Sequence, residues 1–139
     1  MHFHVIMPLG MDPSASEKRQ IIERIAERYR FVAYFPKYSL DRPSFDLRAT
    51  IEDLKSANFI IADLTQERPS CYYELGLAEA LQKPVHLIAQ SATDIHQTAA
   101  RGNVSFFEDL PQYEAVVDSI LSKEAKIFGK DNKLIEQTR

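Results

Sequence analysis

A chain of 139 residues, 45% hydrophobic and 27% charged, has room for one domain with a sizeable core and none for a second. Its net charge of -3 and lack of a basic cluster argue against duplex nucleic acid as a partner, because duplex binding needs cations that displace counterions from phosphates. The lone Cys71 excludes an internal disulfide and suits a reducing compartment. The opening stretch MHFHVIMPLG has no basic segment followed by an apolar one, and no run approaches the length of a membrane span. The chain therefore reads as cytoplasmic, without membrane association.

Short β-branched or aromatic runs alternate with helical periodicity five times, the pattern of a parallel sheet covered by helices. The first strand is His2 to Met7, halted by PLGMDP, and the first helix opens on Ser14-x-x-Glu17, which has the form of a capping box. Ile21, Ile22, Ile25, Ala26 and Tyr29 mark its buried stripe. A second strand, Phe31 to Phe35, ends at Pro36; a polar loop follows, with Ser44 as the expected N-cap of a helix that buries Leu47, Ile51 and Leu54. The third strand, NFIIAD, is apolar on successive residues, as central parallel strands are, and terminates in Asp63. After LTQERPS comes a helix with Ser70 as its expected cap, then a fourth strand, KPVHLIAQ. The segment SATDIHQTAARGN reads either as a short helix ending at Gly102 or as a loop. A fifth strand, VSFFE, precedes a helix from about Leu110 with Tyr113, Val116, Val117, Ile120 and Leu121 inward. The domain is expected to span 1–124, with a polar tail over 125–139.

Five such units predict an α/β fold: a flavodoxin-like, doubly wound, five-stranded parallel sheet in the order 2-1-3-4-5. Ligands of such sheets bind beyond the carboxyl ends of the strands, at the switch point between the first and third. Here that address comprises Met7, Pro8, Leu9 and Gly10, then Asp63 to Thr65, then the start of the third helix. In that helix, PSCYYELGLAEAL, residues Cys71, Leu75, Leu77, Ala78 and Leu81 form an apolar arc at 100° per residue. Glu74 falls inside the arc. A carboxylate on an inward face needs a partner or a cavity, because its desolvation is costly. With Ser70 as cap, Glu74 sits one place beyond the capping-box position, so a capping role fits poorly and contact with a ligand fits well.

The stretch FIIADLTQERPSCYYELGLAEALQKPVHLI resembles the signature of the nucleoside 2-deoxyribosyltransferase superfamily, with its acidic residue or AD.T after the third strand and its ELG.A.AL helix. It is most similar to the branch of 2'-deoxynucleoside 5'-monophosphate N-glycosidases, and VIMPLG and FFEDLPQYEAVVDSIL fit the superfamily's ends. The resemblance implies an enzyme that cleaves or transfers the N-glycosidic bond of a (deoxy)nucleoside or nucleoside 5'-monophosphate. Glu74 would be the nucleophile that attacks the anomeric carbon. Asp63 would serve the sugar hydroxyls or the leaving base. An oxocarbenium-like transition state needs an ionised carboxylate beneath the ring and a second group to manage the leaving-group proton, which two acids can provide.

The chain departs from the transferases just before the glutamate, where they carry an Asp and a Gly and this sequence has ERPSCYY. Arg68 there can grip a phosphate or pair with Glu67 at the surface. Ser70, with the helix N-terminus, can meet a phosphate. Tyr73 and Tyr72 offer aromatic faces for a base or sugar, and routine packing is expected more of Tyr73. Small enzymes of this superfamily commonly complete the pocket from a neighbouring subunit, so a homodimer or larger homo-oligomer is expected, with Arg101 as a phosphate contact.

His2 and His4 share a strand face but lack a third ligand at useful spacing, so no metal is assigned, and no cofactor either. The alternative to an N-glycosidase is a Toll/interleukin-receptor-like module that binds or cleaves a nucleotide or NAD, since SCYYEL also resembles the glutamate helix of the NAD-cleaving members of that group. A receiver domain is unlike this chain, which has neither acids at the end of the first strand nor a lysine at the end of the fifth.

Overall fold

The structure, a computed structural model, describes residues 1–8, 10, 12–36, 46–96 and 103–137, with side chains through 129. Five parallel strands, β1 (His2–Ile6), β2 (Val32–Tyr34), β3 (Phe59–Asp63), β4 (Val85–Gln90) and β5 (Ser105–Phe107), form one sheet in the order β2-β1-β3-β4-β5. All four pairings are parallel, with Val5 opposite Ile61 and Asp63 opposite Ile88. This is the expected α/β doubly wound topology. All five residues of β3 are buried because both faces of a central parallel strand are covered.

Period-2 alternation divides the core into two layers. Phe3, Val5, Phe59, Ile61 and Ile88 face one layer, with α1 (Ala15–Arg28) and α4 (Leu110–Gln137). Ile6, Ile60, Ala62 and Leu87 face the other, with α2 (Leu47–Ser56) and α3 (Pro69–Ala80). The stripe expected on α1 is buried at Ile21, Ile22, Ile25 and Ala26, but it begins one turn earlier, at Lys18.

Several local expectations need correction. The Ser14 side chain makes no capping bond to α1; its hydroxyl and backbone N–H both donate to Asp12, because that carboxylate is the stronger acceptor. The cap of α2 is Asp46, which accepts from the Ala49 N–H; Ser44 lies outside the described residues. Only Leu54 of that helix is fully buried, and Leu47 stays exposed. Ser70 is not the cap of α3 either. Arg68 holds that position and Pro69 is the first helical residue, a place where its missing N–H costs nothing.

The polar tail expected over 125–139 is instead largely helix, since α4 continues without a break to Gln137. Its later part is anchored by Phe128, whose ring meets Phe31 edge-on at 5.8 Å, and by Glu124, which accepts a 2.7 Å bond from His86. Those contacts carry the helix past Leu121, the last inward residue its sequence pattern marked. Among the described residues no helix is long and apolar enough to cross a membrane.

Candidate active site

Asp63 ends β3 at the switch point, and its side chain continues the Phe59 and Ile61 row towards α1 and α4. It is wholly buried. Its Oδ1 accepts from the Thr65 N–H at 2.9 Å and the Thr65 hydroxyl at 2.5 Å, while Oδ2 accepts from the Lys18 ammonium at 3.0 Å. Both oxygens are thus engaged by the protein, and neither faces solvent. The Thr65 hydroxyl also accepts from the Gln90 N–H at 3.0 Å, tying the end of β3 to the end of β4.

Lys18 reaches Asp63 from α1 and is 1% exposed. It also donates to Asp12 at 2.7 Å, and its ammonium lies 4.9 Å from the Phe107 ring centre and 5.4 Å from that of Tyr113. Burial alone would raise the Asp12 carboxyl, but bonds from Lys18 and Ser14 outweigh it and hold the group below the usual carboxylate range. This cluster joins the β1–α1 loop, β3, β5 and α4. The Tyr113 hydroxyl, buried beside it, has no hydrogen-bond partner among the described residues.

Neither Lys18 nor Asp12 follows from motif reading, but a signal for Lys18 exists. It stands at i−3 from Ile21, i−4 from Ile22 and i−7 from Ile25, on the buried stripe of α1. The same test that isolates Glu74 on its apolar arc isolates this lysine.

Between Asp63 and α3 lies the turn Thr65–Glu67, where Gln66 and Glu67 have φ of 66° and 46°. Two consecutive non-glycine residues in the left-handed region are disfavoured and persist only where their surroundings fix them. On one side Thr65 is bound to Asp63. On the other, Glu67 accepts from the Tyr72 hydroxyl at 3.0 Å and bonds to His96 Nδ1, while the His96 N–H donates to the Tyr72 hydroxyl at 3.0 Å. Tyr72 is therefore half-buried and hydrogen-bonded at its hydroxyl, while Tyr73 is 53% exposed, the reverse of the expectation for packing.

α3 buries Cys71, Leu75 and Ala78, and Glu74 stands half-buried among them. Burial pushes the Glu74 carboxyl from 4.5 up to about 7. The field of the helix N-terminus does not offset this, because it falls off within the first turn and with Arg68 as cap Glu74 sits in the second. Cys71 lies within the electrostatic reach of Glu74 and Asp63, and burial foremost drives its thiol to about 11, which removes it as a nucleophile at neutral pH.

Met7 and Pro8 are buried at the end of β1, and Gly10 is exposed, with open space where a side chain would project. Leu9 and Arg101 lie outside the described residues. Thr65 is buried, whereas Arg68, Ser70 and Tyr73 are exposed at the entry of α3. Asp63, Thr65 and the β1–α1 loop thus meet at the carboxyl ends of the strands, with the Asp63 side chain in the layer of α1 and α4, while Glu74 stands on α3, which packs on the other layer. A separate groove of about 470 Å³, lined by His86, Ser119, Ile120 and Lys123 among others, lies at the amino end of β4, away from these acids. Among the described residues no group of three or more His, Cys, Asp and Glu side chains is arranged to hold a metal ion.

No family model matches the sequence, and no curated protein matches it. Solved structures do. The CMP N-glycosidase BcmB of Clostridium botulinum superposes with a TM-score of 0.62 at 16% identity, over 85% of this chain and 98% of that one. A 2-deoxyribosyltransferase from Bacillus psychrosaccharolyticus gives 0.58 at 17% identity, over 84% and 96%. The chain has the fold of these two enzymes. At such identity the likeness concerns backbone architecture, and the chemistry has to be argued from side chains. The superposition covers nearly the whole of each neighbour.

Proposed function

We propose that the protein cleaves or transfers the N-glycosidic bond of a (deoxy)nucleoside or nucleoside 5'-monophosphate, with Glu74 as nucleophile. The observation that carries this reading is Glu74 itself, a half-buried carboxyl with its pKa raised to about 7, on the apolar face of α3, the helix that follows the end of β3. The two structural neighbours, a CMP N-glycosidase and a 2-deoxyribosyltransferase, support the same class of bond.

In this scheme a Glu74 oxygen bonds to the anomeric carbon as the C–N bond breaks. The bonding pair leaves with the base nitrogen, which takes up a proton from water, and water or a second base then displaces the sugar from the ester, its own proton passing to solvent as Glu74 is released as the carboxylate. Asp63 acts through its neighbours, since its oxygens are bound to Lys18 and Thr65. Gly10, exposed in the β1–α1 loop, leaves room on the sugar side, with Met7 and Pro8 buried beneath it, and Tyr73 offers its exposed ring to the base. Ser70, Arg68 and Arg101 meet a 5'-phosphate, with Arg101 reaching the site of a neighbouring copy in a homo-oligomer; light scattering that finds only monomer at micromolar concentration would remove that last element. The Toll/interleukin-receptor-like alternative gains no support from either neighbour.

The test is incubation with a panel of nucleosides, nucleoside 5'-monophosphates and NAD, followed by separation of free bases. Release from nucleosides or monophosphates is expected, and release from none would end the proposal. Charge-assisted bonds contribute about 1.5–3 kcal/mol each, so a monophosphate should bind about tenfold or more tightly than its nucleoside. Arg68→Ala and Arg101→Ala should narrow that gap. Equal affinities for nucleoside and monophosphate in calorimetry would discard the phosphate contacts while leaving Glu74 in place.

A further inference from the structure

We infer that Lys18 is a positioning residue for Glu74, acting through Asp63, Thr65 and the left-handed turn that leads into α3. The inference rests on the glycosidic reading of Glu74 for its functional consequence.

A lysine ordinarily keeps its ammonium in water while its stem covers apolar surface. Lys18 does the opposite, with 1% exposure and its ammonium shared between Asp12 at 2.7 Å and Asp63 at 3.0 Å. For stability alone, a buried ion cluster is generally no better than apolar side chains of similar volume. Its specific effect is to fix orientation. The ammonium draws on Asp63 Oδ2, leaving Oδ1 to accept from the Thr65 N–H and hydroxyl. Thr65 is in turn pinned to the end of β4 by the Gln90 N–H.

Immediately after Thr65 come Gln66 and Glu67 at φ of 66° and 46°, then Pro69, which starts the helix that bears Glu74. A turn in such a conformation has to be held from outside. The Lys18–Asp63–Thr65 chain holds its entrance, and the Glu67–Tyr72–His96 bonds hold its exit. The direction of the first turns of α3, and with it the aim of the Glu74 carboxylate, follows from these two clamps. The rings of Phe107 and Tyr113, 4.9 and 5.4 Å from the ammonium, pack against Lys18 in this arrangement.

The test compares Lys18→Met, Thr65→Val and Thr65→Ser with wild type, at a temperature where circular dichroism shows each folded. A misplaced nucleophile lowers kcat and spares binding, so Thr65→Val and Lys18→Met should lose about 10²-fold in kcat for base release with KM within about threefold. Thr65→Ser, which keeps the hydroxyl, should recover most of that loss. Amide hydrogen exchange should rise over residues 64–72 in both impaired variants and stay unchanged in α2. Thr65→Val leaves the ion cluster intact, so it keeps the test decisive if Lys18→Met does not fold. Wild-type kcat in folded Lys18→Met or Thr65→Val would overturn the inference, as would a uniform rise in exchange across the chain. If the wild type releases no base from any substrate, the glycosidic reading fails on its own account. Exchange over 64–72 then decides the coupling separately, and no increase there in folded Lys18→Met or Thr65→Val overturns it.

Discussion

Glu74→Gln is expected to abolish release of free base and, at the same time, to make the folded protein more stable at pH 8. The first effect follows if the glutamate forms the bond to the anomeric carbon, since a neutral amide is a far poorer nucleophile. The second follows from linkage. Burial raises the folded-state carboxyl from 4.5 to about 7. Between those values the folded protein binds more protons than the unfolded chain, so Glu74 weakens stability progressively as pH rises through the window. Below about pH 4 the residue is neutral in both states and the effect vanishes. Each pH unit of displacement corresponds to about 1.4 kcal/mol, and solvent at the exposed edge of the side chain trims the sum, so a gain of about 2 kcal/mol is expected at pH 8. Urea denaturation of the two proteins at pH 4 and pH 8 checks this. In the wild type, base release should rise with pH to a plateau, with a midpoint near 7. A variant that still releases base at the wild-type rate would show that Glu74 is not the nucleophile. One that is less stable at both pH values would make it a structural acid.

Lys18→Met is the substitution expected to damage the fold most. It preserves volume and removes the cation that sits between two buried carboxylates. Breaking a buried pair by removing one partner costs about 3–5 kcal/mol, because the remaining charge has lost its compensation. For a domain of this size that is a fall of roughly 10 °C or more in Tm. The pH dependence has the opposite sign to that of Glu74. Asp12 is held below the ordinary carboxylate range by Lys18 and Ser14 despite its burial, so its contribution to stability is present above about pH 4 and disappears as pH falls through the folded value. The difference between wild type and Lys18→Met should therefore be widest near pH 7 and shrink on acidification. A constant difference across that range would mean that lost packing of the lysine stem, and not charge, accounts for the damage.

The sheet was legible because its central strand leaves little choice. Phe59 to Ala62 is apolar on successive residues and too short for a helix, and the other strands alternate with stripes such as Ile21, Ile22 and Ile25. Glu74 was legible as the acid on an apolar arc. Asp63 was legible in place but not in use, since its partners come from Thr65 two residues on and from Lys18 forty-five residues back. Pairings at that separation leave no periodic trace. The roles of Tyr72 and Tyr73 were exchanged for a related reason. The wheel sets Tyr72 on the outer face of α3, but its hydroxyl is claimed by Glu67 from the preceding turn and by the His96 backbone after β4. The continuation of α4 was hidden by its polar sequence, because a helix held by Phe128 against Phe31 needs few inward residues.

The turn before α3 contains no glycine, although glycine is the residue for which φ near 60° carries no steric penalty. Glycines at 66 and 67 would relieve strain, but they would also open the mirror half of the backbone map, and with it many alternative entries into the helix. Glutamine and glutamate confine the chain to fewer conformations, of which the clamps select one. The segment therefore trades folding free energy for a narrow distribution of helix directions, which on the proposed reading of Glu74 limits the angular spread of its side chain before any substrate arrives.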